Sequence, residues 1–179
     1  MDKGHRCVLR NIFIRSHHQI DCMKGKTLVL GIGSPVVTDD AIGFPIVDRL
    51  RTMDLENVDL EEASTSGLDL IEMMLDYDLV IVVDAIVTTQ YAPGTVMVLG
   101  EESFHATIHG TNPHEVNVGT ALELGRKLEP ERMPKEIFFV AVEVNDVWTV
   151  GDTMTPEVEQ ALPEAVQTVL DLIDGQHRT

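Results

Sequence analysis

Apolar and polar positions along this chain follow two periods, and the switches between them mark five strands and four helices. Thr27–Gly33 is a short apolar run ending in glycines, as expected of a buried strand entering a turn. From Asp40 to Met53, Ile42, Ile46, Val47 and Leu50 form a helical stripe. Val58–Ala63 is a weaker strand, and Gly67–Leu75 places Leu68, Ile71, Met74 and Leu75 at helical spacing. Leu79–Val83 is apolar on both faces and stops at Asp84. Thr95–Leu99 is a strand after the Ala92-Pro93-Gly94 turn, and Val116–Leu128 is helical. Ile137–Val142 is another buried strand. Thr155-Pro156-Glu157 starts the last helix with a hydroxyl N-cap, a proline at the first helical position and an acid in the first turn. That helix continues through Val158, Leu162, Ala165, Val169 and Ile173.

Strands alternating with helices predict a three-layer α/β/α domain, because doubly apolar strands need cover on both faces. The stretch from about Gly100 to Pro113 reads as a long loop, a common place for function. Ser64 and Ser66 read as a turn and a cap for the helix that follows.

Composition narrows the function classes. The 179 residues hold 13 Lys and Arg against 30 Asp and Glu, a net charge of −17. Nucleic-acid binders present a basic face, and docking on anionic lipid needs one too, so neither partner is expected. Two cysteines are too few for a disulfide framework or a four-cysteine zinc site. Both lie in residues 1–22, with four of the basic residues and three of the seven histidines. That segment is expected to be an extension outside the folded domain, which spans 23–179. Met23 stands directly before the first strand, so a shorter natural chain starting there is an expectation. Residues 23–179 keep nine basic and 28 acidic side chains, so the body is more acidic still, at −19, and has no cysteine nucleophile. The longest apolar stretch of the extension, Ile12-Phe13-Ile14, is far too short for a signal peptide or a membrane span. A cytoplasmic protein is the expectation.

Candidate chemistry begins after the first strand. Gly31-Ile-Gly33 invites a dinucleotide reading, but the third small position is Val36, preceded by Pro35. The loop also ends in Asp39 and Asp40, which would repel a pyrophosphate. No Gly-Lys-Ser/Thr follows, so there is no P-loop, and no serine sits in a Gly-x-Ser-x-Gly elbow. Asp39 and Asp40 also read as acids favoured at a helix start. Asp84 ends an apolar run, where an unpaired charge is costly and where open α/β sheets place their sites; a capping or turn role reads equally well. His114 follows Asn112-Pro113 and reads either as a surface or capping residue or as a ligand. His105 and His109 share the long loop and read as solvated. If Asp40, Asp84 and His114 converge, their O,O,N set suits Ni²⁺, Zn²⁺ or Fe²⁺ and leaves positions open for water or substrate.

Several segments, in one order, resemble the [NiFe]-hydrogenase maturation endopeptidases. Leu28–Ser34 with Thr38-Asp-Asp-Ala-Ile-Gly43 resembles the family's opening signature. Glu62–Gly67 resembles its second, glycine-containing turn, and Leu79–Ile86 with Ala92–Thr95 its central strand and following turn. Asn112-Pro-His114 resembles its histidine segment. Ser34 stands where the family usually has Asn, and Ala63 and Ser64 where paired glycines are common; residues 1–22 have no counterpart.

The resemblance implies a twisted, mixed five-stranded sheet between helical layers. It implies an endopeptidase that trims the C-terminal extension of the hydrogenase large-subunit precursor after nickel insertion. It assigns metal contact to Asp40, Asp84 and His114, with Asp40 and Asp84 as the catalytic acids. It implies nickel supplied by the precursor, with another divalent ion as the expected substitute in vitro. A monomer is expected. Two other classes stay open: a non-catalytic module for metalloprotein assembly, and a nucleoside phosphorylase-like enzyme, which the acidic first loop disfavours.

Overall fold

A computed structural model describes residues 25–64, 67–107, 113–151 and 153–175, without the side chains of 105–107 and 113–117. The expected extension, residues 1–22, lies outside the described residues. Five strands form one sheet: β1 (Thr27–Ile32), β2 (Val58–Ala63), β3 (Leu79–Ile86), β4 (Val96–Gly100) and β5 (Glu136–Glu143). Their order is β2-β1-β3-β5-β4. The first four in that order run parallel, and β4 lies antiparallel to β5, so the sheet is mixed as expected.

The alternation along β3 explains its doubly apolar sequence. Leu79, Ile81, Val83 and Ala85 face one core, with Val158, Leu162, Ala165 and Val169 of α5 (Pro156–Ile173) and Ile46, Val47 and Leu50 of α1 (Gly43–Arg51). Val80 and Val82 face the other. That core holds Leu70, Ile71 and Met74 of α2 (Leu68–Met74) and Val118, Ala121 and Leu122 of α4 (Pro113–Leu128). Side chains on a strand point alternately to opposite faces, so a strand covered on both sides must be apolar throughout.

Three local expectations are corrected. The expected loop after Gly100 holds a helix, α3 (Glu101–Thr107). Phe104 is the one large apolar residue among its seven, so no apolar stripe marks a helix in the sequence. Tertiary contacts hold α3: Phe104 stacks on Phe139 with ring centroids 3.6 Å apart, and Glu101 pairs with Arg126 at 2.7 Å. The helix expected from Asp40 starts instead as a 3₁₀ turn, Asp39–Ile42, and turns α-helical at Gly43. At α2, the N-cap is Gly67 at φ 94°, with no side-chain cap; Ser64 is exposed and Ser66 lies outside the described residues.

Candidate active site

The site is built where parallel β1 and β3 end side by side. Gly31 of β1 pairs with Val83 of β3, so the chain leaves β1 level with Asp84. Two glycines then let the backbone fold back over these strand ends. A Cβ on Gly33, at φ 152°, would stand 2.0 Å from the carbonyl oxygen of Asp40. A Cβ on Gly43 would stand 2.7 Å from the carbonyls of both Ile32 and Val83. Only hydrogen fits in these places. The 3₁₀ turn carrying Asp40 therefore lies directly on the carboxyl ends of β1 and β3.

Both acids are buried, Asp40 at 5% exposure and Asp84 at 6%. Asp40 Oδ2 accepts the Ser34 N–H at 2.8 Å, which ties the acid to the glycine loop. Asp84 Oδ1 accepts the Ala85 N–H at 2.8 Å. Asp84 lies two residues after Val82, so it belongs to the sheet face that α2 and α4 cover. His114 falls in the first turn of α4, four residues before the buried Val118. Its side chain, like His105 and His109, lies outside the described residues. Among the described residues, no group of three His, Cys, Asp or Glu forms a metal cluster.

Asp39 does not cap the helix start. It is fully buried, and Oδ1 accepts the Thr155 N–H at 2.7 Å while Oδ2 accepts the Thr155 hydroxyl at 3.0 Å. Thr155 is the N-cap of α5 in an extended conformation, yet its hydroxyl reaches Asp39 rather than a helix N–H. This corrects the expected hydroxyl cap and gives Asp39 a structural task. It clasps the site loop to α5.

Sequence reasoning passed over Glu143. This side chain is 1% exposed at the end of β5. Oε1 accepts the N–H groups of Thr88 and Thr89 at 2.9 and 2.8 Å, and Oε2 accepts the Thr88 hydroxyl at 2.7 Å. Thr89 has φ 61°, an unfavourable conformation for a β-branched residue. Glu143 thus holds in shape the segment that follows Asp84 and β3. The signal was available, since Glu143 ends an apolar run just as Asp84 does.

These features have counterparts among known proteins. The sequence pattern of the family described as HycI, hydrogenase maturation protease, matches residues 45–172, well over half of the chain. The chain belongs to the hydrogenase maturation protease family. It is 32% identical over 148 residues to the hydrogenase 2 maturation protease of Escherichia coli, covering 81% of this chain and 88% of that one. The solved structure of the hydrogenase maturating endopeptidase HybD from E. coli superposes with a TM-score of 0.74 at 30% identity, over 85% of this chain and 94% of that one. HybD from Thermococcus kodakarensis shares the fold at a TM-score of 0.67 and 19% identity, over 83% and 99% of the two chains. In this maturation protease, the turn and strand bearing Asp40 and Asp84 are thus set on the α/β scaffold of the family.

Proposed function

We propose that this protease removes the C-terminal extension of a [NiFe]-hydrogenase large-subunit precursor once nickel has been inserted, in the cytoplasm. The observation that carries the reading is the burial of two acids, Asp40 and Asp84, on backbone that glycines press onto adjoining strand ends. Acids kept at the carboxyl ends of parallel strands occupy the place where open α/β sheets put their functional groups. Family membership supplies the reaction class.

In this reading nickel is cargo of the substrate and serves as the recognition element. Asp40, Asp84 and His114 complete its coordination when the precursor docks, and their O,O,N donors suit that ion. A bound divalent ion polarises a carbonyl or acidifies a water. Asp40 and Asp84 accept and return the proton within hydrogen-bond reach of the scissile group. Cleavage is then gated, because a nickel-free precursor leaves the protein donors without their ion.

The test is incubation of nickel-loaded and nickel-free precursor with the protease, followed by intact mass. The loaded precursor loses the mass of its extension and the nickel-free form is cut at least about a hundredfold more slowly, a difference of roughly 2.7 kcal/mol in activation free energy. Equal rates for the two would defeat the gating. Asp40→Asn and Asp84→Asn keep an oxygen acceptor for the Ser34 and Ala85 N–H groups, so the fold is retained. Each is expected to slow cleavage by about a hundredfold or more. Full hydrogenase maturation in cells whose protease carries Asp84→Asn would instead favour a non-catalytic assembly role.

A further inference from the structure

The short ribbon beside the candidate site exposes apolar side chains that the fold does not use. Val37 and Val150 form an antiparallel bridge. The Thr38 N–H donates to the Thr149 carbonyl, and the Gly151 N–H to the Val36 carbonyl, both at 3.1 Å. Asp146 Oδ1 accepts the N–H groups of Trp148 and Thr149 at 3.0 and 2.8 Å, which sets the approach to the ribbon. On this framed backbone Val36 is 58% exposed, Trp148 75% and Val150 77%. Trp148 is the only tryptophan in the chain. Tryptophan is usually well buried, and when displayed on a rigid surface it is the residue type most enriched at binding hot spots.

Two observations select the occupant. The first is continuity with the site, because Val36-Val37-Thr38 runs directly into Asp39 and Asp40. A polypeptide whose backbone reaches Asp40 borders this ribbon. The second is charge. Two copies of a chain at −17 repel each other, and Asp146 adds a half-buried carboxylate two residues from Trp148. This disfavours a second copy and favours a partner segment that is apolar with basic side chains at its border.

We propose that Trp148 and Val150, two residues apart on one face of this ribbon, are a docking surface for an apolar, basic-bordered segment of the hydrogenase large-subunit precursor. This rests on the proposed function and adds the surface that recognises the polypeptide apart from the metal. Trp148 supplies apolar contact and a ring face for a cation, and Asp146 supplies the countercharge. The ribbon acts on affinity and not on bond cleavage.

The experiment measures both binding and cutting of the purified nickel-loaded precursor by wild type, Trp148→Ala, Val150→Ser and Trp148→Phe. These side chains are exposed, so unchanged thermal midpoints are expected and are checked first. Trp148→Ala is expected to raise Kd and KM about tenfold with kcat within about twofold, the signature of lost uniform binding. Val150→Ser follows more weakly, and Trp148→Phe recovers most of the affinity. Equal Kd for wild type and Trp148→Ala, or no binding by wild type, overturns the inference. So does a wild-type dimer in sedimentation that Trp148→Ala dissociates. A wild type that binds the precursor through Trp148 but leaves it uncut defeats the proteolytic reading and leaves the docking surface standing.

Discussion

Four acids are nearly inaccessible among the described residues, Asp39, Asp40, Asp84 and Glu143, and their hydrogen bonds divide them into two roles. Asp39 and Glu143 accept backbone N–H groups and threonine hydroxyls from distant segments, as structural clasps do. Asp40 and Asp84 accept N–H groups close by in sequence, at the ends of adjoining strands. The division predicts opposite phenotypes. Asp39→Ala leaves the half-buried Thr155 N–H and hydroxyl without this acceptor, at a cost of about 2 kcal/mol. In a domain of this size that lowers the thermal midpoint by roughly 5–10 °C, readable by calorimetry. Glu143→Ala is expected to cost a similar amount, whereas Glu143→Gln keeps the oxygen that receives two N–H groups and costs much less. A Glu143→Ala midpoint equal to that of wild type would show that the clasp contributes nothing. Asp40→Asn and Asp84→Asn, by contrast, are expected to lose cleavage while keeping their midpoints.

At the scale of elements, the site depends on how closely the 3₁₀ turn approaches the sheet. Gly43 and Gly125 both lack room for a Cβ, but for different reasons. Gly43 faces two backbone carbonyls at 2.7 Å, whereas Gly125 faces the end of the Met133 side chain at 2.7 Å. A carbonyl in a central strand does not yield, and a methionine does. Gly43→Ala is therefore expected to cost about 1–3 kcal/mol and to displace Asp40 from Asp84, reducing cleavage further than its stability loss explains. Gly125→Ala is expected to be mild by both measures. Chemical denaturation beside a processing assay separates the two, and equal effects would remove the special role given to Gly43. The element scale also explains the missed helix: α3 is held by Phe139 and Arg126, which are remote in sequence, and not by periodicity of its own.

At the scale of the whole molecule, charge is sorted between the two ends of the sheet. Around the amino end, Asp59 lies below the usual carboxylate range because the Tyr77 hydroxyl and the Lys26 ammonium hydrogen-bond to it. Asp76 is lowered by Arg132, and Asp78 by Lys135. A carboxylate depressed in the folded state stabilises the fold above its unfolded value of about 3.9, and that contribution is lost as pH falls through the folded value. Stability is therefore expected to be level in these groups above about pH 5 and to decline below about pH 4. Denaturant midpoints across that range check it, and Asp59→Asn should flatten part of the decline. These pairs are solvent-exposed, so added salt should shrink the effect. A decline unchanged by both Asp59→Asn and salt would assign acid sensitivity to other groups. No helix among the described residues is long and apolar enough to cross a membrane.

The sequence by itself determined the layer order and the position of each strand. Apolar periodicity is a local property, and a strand covered on both faces must be apolar at every position. It also marked Asp84, because a charge that ends a buried apolar run is costly unless something pairs with it. Family motifs added Asp40 and the mixed sheet. Only the tertiary structure decided what each buried acid meets. Asp39 and Asp40 are neighbours with the same chemistry, and no local pattern separates them. One meets Thr155 and the other the Ser34 N–H because the glycine loop folds back over the strand ends. The partner of Asp39 lies 116 residues away, and that of Glu143 54 or 55. Such pairings arise only when the sheet brings distant strand ends together, so the clasps made by Asp39 and Glu143 belong to the fold.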